Sequence, residues 1–86
     1  MKYEIYVLRD EVEGIYFEPQ LFRNEETAKR YFGDLCSKPG TKIGEHPTDF
    51  MLYKVGEYND ETGIIKADPD TTFIERGKHG RNKDTL

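Results

Sequence analysis

The residues of this 86-residue chain that could do covalent or metal chemistry are few: one cysteine, Cys36, two histidines, His46 and His79, and two aspartates flanking a proline in Asp68-Pro69-Asp70. A lone Cys cannot form an internal disulfide, and with two histidines it does not complete a four-ligand zinc site. Two aspartates beside a proline fall short of the several oxygen ligands that calcium requires, so this segment reads as a solvated turn. His46 precedes Pro47 at a strand entrance, where capping or solvent exposure is the ordinary role. The Gly/Pro-rich run from Ser37 to Glu45 contains Lys38 and Lys42 but lacks the spacing of a phosphate-binding loop and does not follow a strand. With no Ser/His/Asp or Cys/His arrangement in recognisable context, the chain reads as a non-enzyme that needs no cofactor and no metal.

Binding chemistry is better represented. Tyrosines on a sheet with cations beside them form a platform on which unpaired bases can stack, each base contributing about 1 to 3 kcal/mol. The candidates for such a base-stacking surface are Tyr6, Tyr53 and Tyr58 with Arg9, Lys54 and Lys66 beside them, supplemented by Arg76, Lys78, Arg81 and Lys83. The same tyrosines would equally serve as core or dimer-interface residues, and no feature of the sequence separates the two.

The elements that must position these side chains follow from periodicity. Lys2 to Arg9 reads as a first strand in which Tyr3, Ile5 and Val7 make an apolar face and Glu4, Tyr6 and Leu8 a mixed one. Asp10 to Gly14 is an acidic turn, and Ile15 to Phe17 pairs briefly as an edge strand before Pro19. Ala28, Tyr31, Phe32, Leu35 and Cys36 form one stripe on a helix from about Glu25 to Cys36, with Asn24 as N-cap and Glu25 and Glu26 in the first turn. Phe50 to Tyr58 is the longest run of β-formers. Alternation sends Phe50, Leu52 and Tyr58 to one face and Met51, Tyr53 and Val55 to the other. Asn59 to Gly63 closes a hairpin into Ile64 and Ile65, Asp68-Pro69-Asp70 makes a second turn, and Thr71 to Glu75 is a last strand.

These elements give an α+β fold: a small antiparallel β-sheet of about four strands with one amphipathic helix packed on one face. Residues 1–77 make a single domain and 78–86 a flexible basic tail. Only 35% of residues are hydrophobic and 35% are charged, so the core is small and rests on the aromatics, and dimerisation would help it. The net charge of −4 is unevenly spread, from −7 over residues 1–75 (9 Lys/Arg against 16 Asp/Glu) to +3 over 76–86. An acidic body argues against charge-driven wrapping of nucleic acid but leaves room for a local basic surface. No apolar signal region and no run of about 20 apolar residues is present, so the chain is expected to be soluble in a cytoplasm.

The run His46-Pro47-Thr48-Asp49-Phe50, then Leu52-Tyr53, Val55-Gly56, Tyr58-Asn59-Asp60 and Thr62-Gly63 resembles the signature of the small nonstructural protein of gokushoviruses, a subfamily of Microviridae with circular single-stranded DNA genomes. Phe17-x-Pro19, Asn24, Ala28, Arg30 and Phe32 upstream, and Pro69 and Gly77 downstream, extend the resemblance over roughly residues 3–77. The resemblance implies a non-capsid protein of the bacterial host cytoplasm, described as DNA-binding, that acts when viral single strands are made from the double-stranded replicative form. It brings no catalytic residue. The alternative it leaves open is an adaptor that binds a viral or host replication protein, or a scaffold in assembly, without touching DNA.

Overall fold

The computed structural model describes residues 1–79. Five strands form one sheet: β1 (Lys2–Asp10), β2 (Ile15–Tyr16), β3 (Gln20–Phe22), β4 (Phe50–Asn59) and β5 (Ile64–Arg76). Their order is β2-β1-β4-β5, every pairing is antiparallel, and β3 also pairs with β1. One main helix, α1 (Glu25–Cys36), crosses one face. A one-turn helix, α2 (Lys42–Glu45), and a 3-10 turn (Pro47–Asp49) lead into β4. The α+β expectation therefore holds, with β3 an addition that three residues after Pro19 did not announce.

Helix α1 starts where its caps dictate. The Asn24 side-chain oxygen accepts from the Thr27 amide and the Thr27 hydroxyl, both at 2.9 Å, and Glu25 and Glu26 sit against the positive end of the helix. Ala28, Phe32 and Cys36 are buried against Tyr6, Leu8, Phe50 and Leu52, with Tyr31 and Leu35 at the margin. The core thus lies on the mixed face of β1, not on the uniformly apolar one. Tyr6 is tolerated there because its hydroxyl donates to Glu4 at 2.6 Å while its ring meets Phe22 edge-on at 5.8 Å.

Two expectations about the second half of the chain are corrected. Asp68-Pro69-Asp70 is not a turn: β5 runs through it. Lys54 pairs with Thr72 and Gly56 with Ala67, so residues 68–71 bulge out of register opposite a single residue of β4. Proline lacks an N–H to donate, and a bulge in an edge strand is where that lack costs least. The second correction concerns Tyr58. Ile5 pairs with Gly56 and Tyr6 with Lys54, which leaves Val55 as an extra residue in β4. The alternation is reset there, and Tyr58 joins the face of Tyr53 instead of that of Phe50 and Leu52.

Turn chemistry closes the remaining elements. Gly63 takes φ 75° and donates its amide to Asn59 at 2.8 Å, ending the β4–β5 hairpin as its sequence suggests. The buried Asp10 carboxylate accepts from the amides of Val12 and Glu13 and so holds the β1–β2 turn.

Candidate nucleic-acid interface

Cross-strand partners in an antiparallel sheet share a face. On that basis the four carboxylates of the ladder, Glu4, Asp10, Glu57 and Glu75, all fall on the face covered by α1, with Tyr6, Leu8, Phe50 and Leu52. The opposite face carries Tyr3, Ile5, Val7 and Arg9 of β1, Tyr16 and Leu21 of the short strands, Met51, Tyr53 and Tyr58 of β4, and Ile65, Phe73 and Arg76 of β5. Among the described residues no Asp or Glu occupies a ladder position there. Among the described residues no helix covers this face, and Tyr16 and Phe73 remain 49% and 53% exposed.

The aromatic residues of the open face fall into two groups. Near the β1–β2 turn, Tyr53 sits between Tyr16 and Phe73 with centroid distances of 5.9 and 5.8 Å, both edge-to-face. The Arg9 guanidinium lies 5.0 Å from the centre of the Tyr16 ring. Toward the β4–β5 hairpin, Tyr3 and Tyr58 lie 6.4 Å apart, with Arg23 at 5.8 Å from the Tyr3 ring. Arg76 pairs with Met51 on the same face, but its guanidinium donates to Glu11 at 2.6 Å and to the Thr48 carbonyl at 2.8 Å. That hydrogen bond, and then the charge of Arg76, holds the Glu11 carboxyl below its ordinary value.

The residues expected at a binding surface are thus split. Arg9, Tyr53, Tyr58 and Arg76 come together on the open face. Tyr6 does not: it is 1% exposed and part of the core, where no base could reach its ring, and burial followed by the Glu4 contact raises its pKa far above the ordinary value. Lys54 and Lys66 pair across the ladder with Tyr6 and Glu57, which assigns both to the helix face, and Lys54 is bound to Asp68 at 3.0 Å. Lys78 lines a groove of about 560 Å³ beside α1 with Lys29 and Arg30, away from the tyrosines. Arg81 and Lys83 lie outside the described residues. The sequence reading missed Tyr3, Tyr16, Arg23 and Phe73. Tyr3 shares parity with Val7 and Arg9 on β1, a signal that was available; the other three depend on pairings that bring distant segments together.

The fold and this site define a small α+β sheet protein with one face sealed by its helix and the other open, aromatic and free of ladder carboxylates. The chain belongs to the family described as Phage ORF5 protein, whose profile matches residues 3–79, and it is a phage protein. No curated protein and no solved structure matches it. No helix among the described residues is long and apolar enough to cross a membrane.

Proposed function

We propose that this protein binds single-stranded DNA on the open sheet face, acting by binding rather than by catalysis, as a nonstructural accessory protein of a gokushovirus in the host cytoplasm while viral single strands are made from the replicative form. The observation that carries this reading is the segregation of charge across the sheet. Among the described residues this acidic protein keeps every ladder carboxylate on the helix face and sets arginines among the aromatics of the other. A polyanion with exposed, stackable bases is the ligand that such a face complements, and duplex DNA, whose bases are already stacked on one another, is not.

Fluorescence anisotropy of a labelled oligonucleotide tests it. With Arg9 and Arg23 each meeting one phosphate, affinity for a single strand falls about sevenfold between about 50 and 200 mM salt, following a slope of roughly −0.7 per contact. Duplex of the same length binds more weakly. Absence of binding at tens of micromolar protein would sink the reading.

A second reading has one observation in its favour: Leu21, Ile65 and Phe73 are large, apolar and 47 to 67% exposed on this same face. A second copy of the chain, or a viral or host replication protein, would bury them. Sedimentation showing a dimer that persists at micromolar concentration, together with no DNA binding, favours it over the first.

A further inference from the structure

The two aromatic groups of the open face are separated along the strands, not merely across them. Tyr3 and Val7 lie four residues apart on β1, and Val7 is the ladder partner of Tyr53. At about 3.3 Å per residue the Tyr3–Tyr58 pair therefore lies about 13 Å from the Tyr16–Tyr53–Phe73 row. Each group has its own arginine, Arg23 over Tyr3 and Arg9 over Tyr16. Among the described residues neither guanidinium is engaged in a salt bridge. Between the groups the face is aliphatic: Ile5 and Val7 are buried, and Ile5 lies between the exposed Leu21 of β3 and Gly56 of β4, which has no side chain.

We infer that these are two separate stacking stations for one strand. The DNA runs along β1 and β4, unpaired bases stack at Tyr16/Phe73 and at Tyr58, and the sugar-phosphate chain between them crosses the low ground over Ile5 and Gly56. The inference rests on the single-strand reading above and adds to it a direction, a footprint and a second set of contacts. A separation of about 13 Å corresponds to roughly four nucleotides at the 3.4 Å spacing of a stacked strand, and fewer when the strand is stretched. Occupying both stations then takes about four to six nucleotides, near the lower end of the range for small single-strand binders. Recognition is of bases as flat surfaces, so sequence preference is weak.

A length series with oligothymidylates, read by competition against a labelled strand, tests the inference on the full chain. A strand of about eight nucleotides binds at least tenfold more tightly than one of about three, once the number of binding registers is counted. Tyr58→Ala removes about tenfold from the longer strand and no more than twofold from the shorter, while Tyr58→Phe, which keeps the ring, behaves as wild type. Arg23→Gln, at an exposed side chain, weakens the longer strand selectively without touching the sheet. Thermal unfolding of each variant keeps loss of fold apart from loss of a station. Equal affinity for the two lengths, or a longer strand indifferent to both Tyr58→Ala and Arg23→Gln, overturns the two-station arrangement while leaving single-strand binding in place. Failure of every length to bind overturns the underlying reading itself.

Discussion

Tyr58 lies opposite Tyr3 with the ring centroids 6.4 Å apart, on the face that also carries Tyr53. Unbroken alternation from Tyr53 would send Tyr58 to the helix side, and the extra residue Val55 is what returns it. Beside that bulge the backbones of β4 and β5 approach closely at Gly56. A Cβ there would lie 2.6 Å from the Lys66 carbonyl oxygen and 3.3 Å from the Ala67 Cα, and backbone cannot yield as a side chain can. Gly56→Ala therefore destabilises the protein by about 1 to 3 kcal/mol, the usual cost of forcing an extra methyl into packed structure. Thermal unfolding measures it: a chain of this size loses about 4 to 8 °C per kcal/mol, and an unchanged midpoint would contradict the register.

The start of α1 gives a second prediction. Asn24 satisfies two donors of Thr27, and Asn24→Ala removes both bonds at a cost of about 1 kcal/mol. Asn24→Asp keeps an acceptor in place and retains most of that stability in chemical denaturation.

Tyr6 links the core to alkaline pH. Burial, then the hydrogen bond and charge of Glu4, raises its folded pKa well above the ordinary 10.0. A raised folded pKa means that the stabilisation is complete below the unfolded value and is lost as pH rises from about 10 through the folded one. In a spectrophotometric titration, wild type and Tyr6→Phe therefore show no difference in tyrosinate signal near pH 10. The difference emerges only at higher pH, as the fold is lost.

At the rim of the open face, Glu11 holds the Arg76 guanidinium away from the proposed DNA ligand. Its folded pKa lies below the ordinary 4.5, so the interaction is fully present above that value and is lost as pH falls through the lower, folded one. Carboxyl titration by NMR should give Glu11 a midpoint under 4.5 that returns toward it in Arg76→Gln. Glu11→Gln removes a carboxylate and releases the guanidinium, so single-strand affinity rises and its salt dependence steepens.

The two sides of the sheet respond differently to loss of a cation. Arg9→Gln weakens single-strand binding by about tenfold through loss of both a phosphate contact and the cation over Tyr16. Lys54→Gln, on the helix face and tied to Asp68, leaves that affinity within about twofold in the same anisotropy titration.

Local chemistry made much of the fold legible. The α1 stripe, its Asn24 cap and the Asn59–Gly63 turn are each written in a few consecutive residues, and each formed where its pattern indicated. The candidate surface was less legible. Tyr6 and Tyr53 look alike in sequence, yet one is core and the other open, because burial of a strand face depends on which side the helix chooses. By itself the sequence determined β1, β4, the helix and its apolar stripe, since these rest on side-chain periodicity and capping within one segment. The tertiary structure alone decided which side of β1 met α1, and where an extra residue in β4 reset the alternation. It also decided which distant arginines, Arg9 and Arg23, came to rest beside which rings. Those choices rest on cross-strand register, which arises only when segments far apart in the chain pair with one another.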